Sequence, residues 1–437
     1  MLTRKALSRF EFWKNNKTKQ ALLVTGARQV GKTFLVRAFA KNHYENFVEY
    51  NLLENQAARE SFSKASSADD LMFRITVATP IALQPNRTLI FIDEVQECPE
   101  IVTFIKFLVD KSEYDFILSG SLLGLELENI RSQPVGYLTE ILMYPLDFEE
   151  FCWAGGLSDD VLQSVKDAFV TKKPLPDFLH ERLTDLFHRY LLVGGMPDAV
   201  TAFFATNSLD QVRIAQNDIM RFYARDISKY APKDRRLMIK NILDLIPSEL
   251  SKQNRRFRLN SIVDVRRFTQ VQEEFLWLTK ANVALPAYNI KAPISPLLIS
   301  ENHSLFKLFL SDVGLLASRF PKESSLGALD GFPAKNMGGI YENFVAQELT
   351  AHGFALRYFA SKKVGEIDFI IEKKDGSIFA LEVKSGAEYK SHAALNNAMG
   401  IREYDISEAL VFAETNIEKN PLVVYLPVYL VSMLANG

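Results

Sequence analysis

A short loop near the N-terminus carries the residue types that bind phosphate. Residues 26–33 have the sequence Gly-Ala-Arg-Gln-Val-Gly-Lys-Thr, which fits the pattern G-x-x-x-x-G-K-[ST]. The glycines allow the backbone to wrap around a phosphate, and successive N–H groups at the start of a helix bind the anion. We expect Lys32 to contact the β- and γ-phosphates of ATP, and the Thr33 hydroxyl to complete the shell of Mg²⁺. The predicted ATP-binding residues of the loop are Gly26, Ala27, Arg28, Gln29, Val30, Gly31, Lys32 and Thr33.

Two acidic residues follow an apolar segment, 88–92, that is typical of a buried strand. A strand that ends in Asp93 and Glu94 has no packing reason to do so. We expect Asp93 to bind Mg²⁺ through water and Glu94 to polarise the water that attacks the γ-phosphate. Ser119 ends the next strand-like segment and is predicted to contact the nucleotide, although a plain turn at residues 119–121 would fit the sequence as well.

Charged side chains alternate with apolar ones in two strand-like segments near the C-terminus, GEIDFII and IFALEVK. Because strand side chains alternate, Glu366 and Asp368 share one face of the first segment, and Glu382 and Lys384 share one face of the second. Two adjacent strands would therefore present Asp368, Glu382 and Lys384 to one point. Glu342 begins a helical pattern upstream and could add a further carboxylate.

Such a group of carboxylates suggests a metal site, because clustered carboxylates repel each other unless a cation lies between them. Asp368 and Glu382 around Mg²⁺, with Lys384 steering or activating water, would cleave phosphodiesters. The alternative is a solvent-facing ion pair of Glu382 and Lys384 on an edge strand, which would contribute little to stability.

The segment 211–270 is strongly basic, with 14 Lys and Arg residues against 6 Asp and Glu residues in a chain of net charge −2. We expect helices over residues 235–251 and 260–265, a further helix entered at Thr269, and extended stretches over 283–289 and 295–300. Helices followed by a hairpin are typical of a winged helix, which contacts DNA. The predicted phosphate contacts are Arg255, Arg256, Arg258, Arg266 and Arg267. The alternative is a winged helix that packs against protein, with the basic face merely solvated.

Composition excludes several classes of protein. With 48% hydrophobic and 24% charged residues, the chain is expected to be globular and water-soluble rather than disordered. Cys98 and Cys152 cannot form a disulfide framework, and the six histidines are too dispersed for a zinc site. The longest apolar run, 421–434, is too short to span a bilayer, and the first twenty residues lack the apolar core of a signal peptide. We therefore expect a cytoplasmic protein without membrane contact.

The order of the segments indicates an α/β protein with three parts. A strand-like run before the phosphate loop, a helix after it and two further buried strands predict a parallel α/β sheet. A helical middle follows, and residues 318–339, rich in Gly, Pro and Ser, mark a boundary before a second α/β region. The predicted domains are a P-loop ATPase domain at 1–155, a helical and winged-helix region at 156–325, and a restriction-endonuclease-like α/β domain at 326–437.

With these motifs, the chain resembles a bacterial and archaeal group of AAA-family ATPases that carry a winged-helix segment and a C-terminal domain of the PD-(D/E)XK nuclease superfamily. The resemblance covers nearly the whole chain. It implies that Glu342, Asp368 and Glu382 bind metal and that Lys384 is catalytic, although Ile367 stands where the superfamily has proline. The motifs that carry it are GARQVGKT, LIFIDEVQ, SGS, YPLDFEEF, GGMPDAV, YARDISKY, FKLFLSDVGLL, YENFVAQEL, GEIDFII and LEVKSG.

The arginine that would assist ATP hydrolysis is not fixed by the sequence. The group usually has Gly-Arg shortly before its Pro-Leu segment, and here the pair is Gly136-Tyr137. If that arginine assists hydrolysis, Arg131 must substitute for it or the activity is weakened. The candidates are Arg28, Arg131, Arg221 and Arg225.

These features together predict an ATP-hydrolysing switch that engages nucleic acid, DNA before RNA, through the basic segment 211–270. Mg²⁺-dependent cleavage is left open. The alternative is a regulatory ATPase whose last domain is a non-cleaving module for docking a protein partner. That alternative is favoured by the 10 Lys and Arg against 13 Asp and Glu in residues 331–437, which would steer nucleic acid poorly. A small-molecule kinase is a third possibility without an evident acceptor pocket, and the sequence does not define the oligomeric state.

Overall fold

The computed structural model describes residues 2–111, 113–121, 136–262, 265–321 and 337–436. Contacts between residues divide the chain into two compact units. The N-terminal unit comprises Arg4–Tyr144 with Lys280–Asn282, and the C-terminal unit comprises Met1–Thr3, Pro145–Thr279 and Val283–Gly437. The predicted domain boundaries at 155 and 325 remain predictions. None of the helices in the described ranges is long and apolar enough to cross a membrane.

The N-terminal unit is built on one sheet of five parallel strands in the order β2-β3-β4-β1-β5. Strands β1 and β3 are buried along their whole length, which explains why their sequences are almost continuously apolar. The predicted parallel sheet is thereby confirmed. Its strands are β1 (Ala21–Thr25), β2 (Asn46–Asn51), β3 (Thr88–Asp93), β4 (Asp115–Ser119) and β5 (Leu138–Leu142), and its helices are α1 (Ala6–Asn16), α2 (Lys32–His43), α3 (Gln56–Ser63), α4 (Ala68–Ala78) and α5 (Glu100–Lys111).

The C-terminal unit begins with a helical part. Several of its helices follow one another with short connections, which is typical of antiparallel packing between neighbours. The helices are α6 (Phe148–Ala154), α7 (Asp159–Thr171), α8 (Asp177–Val193), α9 (Pro197–Thr206), α10 (Leu209–Tyr230), α11 (Arg236–Leu250) and α12 (Gln272–Lys280), followed later in the chain by α13 (Val313–Ala317), α14 (Met337–Ala351) and α15 (Ala393–Met399).

Two mixed sheets complete the C-terminal unit, with strand orders β7-β6-β8-β9 and β10-β11-β12-β14-β13. In the first sheet β6 pairs antiparallel with β7 and parallel with β8, and in the second sheet β11 lies between β10 and β12. The strands are β6 (Ala284–Ile290), β7 (Glu301–Leu310), β8 (Arg357–Ser361), β9 (Gly365–Ile367), β10 (Phe369–Glu372), β11 (Ile378–Val383), β12 (Ile406–Ala413), β13 (Glu418–Lys419) and β14 (Val424–Pro427).

The basic middle segment differs from its prediction in three places. The helix expected to enter at Thr269 begins at Gln272, and Phe268–Gln270 form a separate 3₁₀ turn in which the Gln270 side chain accepts hydrogen bonds from the N–H groups of residues 266 and 267. The stretch 295–300 is not extended: its last four residues form a 3₁₀ turn, and the second strand of the hairpin is β7. Of the short helix expected over 260–265, a 3₁₀ turn at Leu259–Ser261 is present, and residues 263 and 264 lie outside the described ranges.

Helix α14 is buried on every side and fixes the position of Glu342. Its polar side chains form hydrogen bonds with the backbone of neighbouring segments. Asn343 accepts from the N–H of Leu310 at 2.8 Å and donates to the carbonyl oxygen of Leu310 at 2.9 Å. Gln347 accepts from Val313 N–H at 2.8 Å. Because buried polar groups are costly unless they are hydrogen-bonded, these contacts hold α14 against β7 in one register.

Candidate functional sites

Three strands of the N-terminal sheet end at the same edge, and each delivers a residue predicted to act on ATP. Strand β4 lies between β1 and β3, and all three run parallel. The phosphate loop therefore follows β1 directly beside Asp93, the last residue of β3, and Ser119, the last residue of β4. This is the edge at which open parallel sheets bind ligands.

The phosphate loop is tightly folded and holds the Lys32 side chain inside it. Gly26 has φ +134°, and a Cβ atom there would lie 2.2 Å from the carbonyl oxygen of Met143, so only glycine fits. Lys32 begins α2, is buried, and donates through Nζ to the carbonyl oxygens of Gly26 at 2.9 Å and Ala27 at 2.8 Å. The ammonium group thus lies where the loop would enclose a phosphate.

Asp93 is at the centre of a small group of oxygen and amide side chains. The Thr33 hydroxyl donates to Asp93 Oδ2 at 2.8 Å, and Asn51 Nδ2 donates to the same oxygen at 3.3 Å. Ser119 donates to the other oxygen, so it faces the site rather than closing a plain turn. A carboxylate and a hydroxyl are the ligands that Mg²⁺ accepts beside nucleotide phosphates, and the residues present therefore fit that ion.

Glu94 has an unusual backbone conformation. Its φ of 56° and ψ of 47° lie in the left-handed region, which is uncommon for residues other than glycine and is often found at functional sites. Gln96 Nε2 donates to Glu94 Oε2 at 2.5 Å and orients the carboxylate. Ser121 Oγ lies 3.5 Å from the same oxygen. The sharp turn after β3 therefore directs an oriented carboxylate away from the strand.

The assisting arginine remains unassigned. Arg28 belongs to the phosphate loop itself. Arg221 and Arg225 lie on α10 of the C-terminal unit, and Arg221 pairs with Asp218 at 2.8 Å. Arg131 lies outside the described residues.

In the C-terminal unit, two of the three predicted metal-binding carboxylates, Asp368 and Glu382, line one cavity of about 630 Å³, whereas Glu342 is fully buried. Asp368 lies between β9 and β10 and accepts a hydrogen bond from Val383 N–H at 2.9 Å. Glu382, on β11, pairs with Lys384 Nζ at 2.8 Å through Oε1. Its second oxygen, Oε2, is buried and has no hydrogen-bond partner among the described residues. The cavity lining includes Arg255, Arg258, Glu366, Asp368, Glu382 and Lys384.

This geometry overturns the alternative of a solvent-facing pair on an edge strand. Strand β11 is an inner strand of its sheet, and Glu382 is only 7% exposed. Burial and, after it, the neighbouring charge of Asp368 together raise the pKa of Glu382 to about 8, against the opposing effect of Lys384. A buried carboxylate with one unpartnered oxygen and a raised pKa is a group that a cation would stabilise.

Lys307 is the part of this site that sequence reasoning missed. It lies on β7, is fully buried, and its ammonium group contacts Glu366 at 3.0 Å, Glu342 at 3.1 Å and Asp368 at 3.5 Å. Burial alone would lower its pKa, but Glu342 and the other carboxylates hold it above the ordinary value. The available signal was a lysine within the apolar run Phe-Lys-Leu-Phe-Leu, because lysine is almost never fully buried unless it is paired.

Two arginines predicted to contact nucleic-acid phosphates instead form ion pairs with carboxylates of the cluster around Lys307. Arg255 forms an ion pair with Glu342, and Arg256 pairs with Glu366 at 3.1 Å. Arg258, Arg266 and Arg267 are exposed and stay available as phosphate contacts.

The acids of the cluster respond differently to its charges. Burial raises the pKa of Glu342 to about 7, with a further contribution from Asp368, while Lys307 and Arg255 oppose the rise. Burial would also raise the pKa of Asp368, but Lys307 and the Val383 N–H offset it, and this pKa lies below its usual value. Asp368 therefore favours its ionised form more strongly than Glu342 does.

A second group of possible ligands lies elsewhere in the C-terminal unit. Atoms of Asp147, Glu348 and His352 lie within 4.8 Å of one another. Structural contacts account for their positions: Asp147 caps α6, Glu348 accepts from Phe148 N–H at 3.0 Å, and His352 pairs with Asp147 at 3.4 Å. These contacts join α6 to α14.

Comparison with known families supports the N-terminal site. Residues 18–152 match the family model of the AAA domain, AAA_14. Residues 184–325 and 337–428 match two domains of unknown function, DUF8612 and DUF4143. No curated protein matches the chain significantly. Residues 18–152 are therefore an AAA domain, and the protein is an ATPase, whereas the winged-helix and nuclease assignments of the remainder stay predictions.

Solved structures that match part of this chain include the following three, each with a TM-score below 0.5. The Walker-type ATPase PABY2304 of Pyrococcus abyssi is 15% identical with a TM-score of 0.45, and the match covers 73% of this chain and 96% of that chain. PCH-2 of C. elegans is 14% identical with a TM-score of 0.29, covering 48% and 65%. The Aeropyrum pernix ORC1 protein in complex with DNA is 13% identical with a TM-score of 0.28, covering 76% and 94%.

Proposed function

We propose that this ATPase couples its nucleotide state to the engagement of nucleic acid, and that the C-terminal cavity cleaves phosphodiesters with Mg²⁺. The observation that carries the proposal is the buried, unpartnered Oε2 of Glu382 beside Asp368 and Lys384 in an open cavity. Buried polar groups are normally satisfied, so an unpartnered carboxylate oxygen that adjoins a cavity is a suitable place for an added cation.

In the N-terminal site, each residue has a role that follows from its position. The N–H groups of the phosphate loop and Lys32 would bind the phosphates, and Thr33 and Asp93 would hold Mg²⁺. Glu94, oriented by Gln96, accepts the proton of the attacking water. Ser119 keeps the Asp93 carboxylate in place through its hydrogen bond.

In the C-terminal site, Asp368 and Glu382 would hold Mg²⁺. The bound ion would supply charge stabilisation to a phosphate and lower the pKa of a water ligand. Val383 N–H orients Asp368, and Lys384 orients Glu382 while its ammonium group attracts the phosphate. Arg258 lines the same cavity and would contact the polymer backbone.

The polymer is identified by charge and by the position of the remaining basic residues. Arg258, Arg266 and Arg267 are exposed on the segment between α11 and α12 and provide the phosphate contacts. We place DNA ahead of RNA, because helices followed by a hairpin are used most often in duplex DNA recognition.

A salt titration of DNA binding tests nucleic-acid engagement. We expect log K to fall linearly with log salt for the wild type, and the slope to become smaller when Arg258, Arg266 and Arg267 are all replaced by Gln. Arg182→Gln, at another exposed arginine, is the matched control. A wild-type slope of zero would reject binding through phosphate contacts.

A second candidate function has its own supporting observation. The four acids Glu342, Glu366, Asp368 and Glu382 are matched by four bases, Lys307, Arg255, Arg256 and Lys384. A cluster that is balanced without metal suits a non-cleaving module that docks a protein partner. Full ATP turnover together with a zero salt slope would favour this regulatory ATPase.

A further inference from the structure

We propose that the Lys307 ammonium is a built-in cation for the three acids that it contacts, Glu342, Glu366 and Asp368, which form the inner half of the carboxylate cluster. The cavity therefore admits one divalent ion at Glu382 and none at Glu342. Lys307 is thus a positioning residue, and Glu342 is its partner rather than a metal ligand. The part that concerns Glu382 rests on the proposed function, whereas the part that concerns Lys307 does not.

The contacts of Lys307 use the whole donor capacity of its side chain. An ammonium group has three N–H donors, and three carboxylates lie within 3.5 Å of Nζ. The ring of Tyr358 closes a further side, with its centroid 5.3 Å from Nζ. Since Lys307 is fully buried, the positive charge stands between the acids at the place where they would otherwise share a cation.

The surrounding backbone prevents Lys307 from withdrawing. The backbone of Arg256 forms an isolated antiparallel β-bridge with that of Lys307, and Phe257 N–H donates to the carbonyl oxygen of Phe306 at 2.9 Å. On the other side, β7 pairs with β6 and is tied to α14 through Asn343. Both the lysine and Glu342 are therefore carried by elements whose register is fixed.

The remaining partners show which acid is left for an added ion. Glu342 forms ion pairs with Lys307 and Arg255. Glu366 forms ion pairs with Lys307 and Arg256. Asp368 forms an ion pair with Lys307 and accepts a hydrogen bond from the Val383 N–H. Within the described part of the chain, Glu382 differs from these three because its Oε2 has no hydrogen-bond partner, and Glu382 also lines the cavity, as Glu366 and Asp368 do. One cation can be accepted there without breaking an existing contact.

The test is to count bound Mn²⁺ in the full-length, nucleotide-free protein by the electron paramagnetic resonance signal of free Mn²⁺. Any weak binding at the N-terminal site is common to all variants and cancels in the differences. We expect Lys307→Met to bind one Mn²⁺ more than the wild type, and Glu382→Gln to bind one fewer. Lys363→Met, at an exposed lysine in the same unit, should bind the same number as the wild type.

The two parts of the proposal fail separately. A folded Lys307→Met protein with the wild-type count would overturn the role of Lys307. Equal counts in the wild type and Glu382→Gln would reject the Glu382 ion, and with it the proposed cleavage, while leaving the Lys307 result intact.

Removal of a buried charge could prevent folding, so a second variant is included. Lys307→Met/Glu366→Gln removes one negative charge together with the positive one, and it should also gain one Mn²⁺ relative to Glu366→Gln. A melting temperature of Lys307→Met that rises by several degrees with Mn²⁺, against no rise in Lys363→Met, would agree with the count. No gain in the double variant would overturn the proposal.

Discussion

Replacing Lys307 by Met should destabilise the C-terminal unit in a manner that depends on pH. The variant keeps an apolar chain of similar length but removes the charge that three carboxylates share, of which Glu342 and Asp368 are buried. Breaking a buried ion pair from one side typically costs about 3–5 kcal/mol, because the remaining charge is left buried. Here each acid keeps one other partner, so we expect the lower end, about 3 kcal/mol, at pH 8.

At acidic pH the penalty should become much smaller. Burial already raises the pKa of Glu342 to about 7, and Lys307 opposes that rise, so its removal raises this pKa further. An acid with a raised pKa in the folded state adds stability below its unfolded pKa and loses it as pH rises through the folded value. The contribution of Glu342 to the penalty should therefore be absent near pH 5 and should develop as the pH rises above about 7, the folded-state pKa of Glu342 in the wild type.

Urea denaturation at both pH values measures this difference. Trp153 and Trp277 lie in the C-terminal unit, so the fluorescence transition of that unit can be followed. The exposed Lys363→Met variant controls for the loss of a lysine. A penalty that is equal at pH 5 and pH 8, or below about 0.5 kcal/mol at both, would refute the charged cluster described above.

Three further outcomes are expected. Lys32→Ala should abolish ATP binding or turnover, measured by calorimetry and phosphate release, and unchanged values would remove the lysine from the site. Glu94→Gln should keep ATP binding but lower turnover at least about 10²-fold, since it removes the base, and full turnover would contradict that role. Gly26→Ala should distort the phosphate loop, because its Cβ would lie 2.2 Å from the Met143 carbonyl oxygen; a nucleotide affinity equal to that of the wild type would contradict this.

The N-terminal site could be predicted because its information is local. The strand, the loop and the helix follow one another in sequence, and parallel strands bring Asp93 and Ser119 to the same edge by topology alone. That Asp368, Glu382 and Lys384 meet at one cavity also follows from strand alternation in adjacent segments.

The inner half of the carboxylate cluster could not be predicted in the same way. Lys307 reaches Glu342 and Asp368 because β7 packs against α14 and pairs with β6, contacts that depend on the whole C-terminal unit. The second strand of the hairpin is predicted at 295–300 but begins at Glu301. Pro293 and Pro296 lack the N–H group that a strand ladder requires, so the extended segment starts only after them. The sequence also predicts Arg255 and Arg256 as phosphate contacts, because their carboxylate partners lie about a hundred residues further along the chain and only the folded unit brings them together.

The most direct test of the proposed function is a cleavage assay on single- and double-stranded DNA and RNA with Mg²⁺ or Mn²⁺, with and without ATP. The wild type, Asp368→Ala and the exposed Glu403→Gln control would be compared at equal concentration. We predict cleavage by the wild type and the control that depends on ATP and is absent in Asp368→Ala. Intact ATP turnover without cleavage of any substrate would contradict the account and favour the regulatory ATPase.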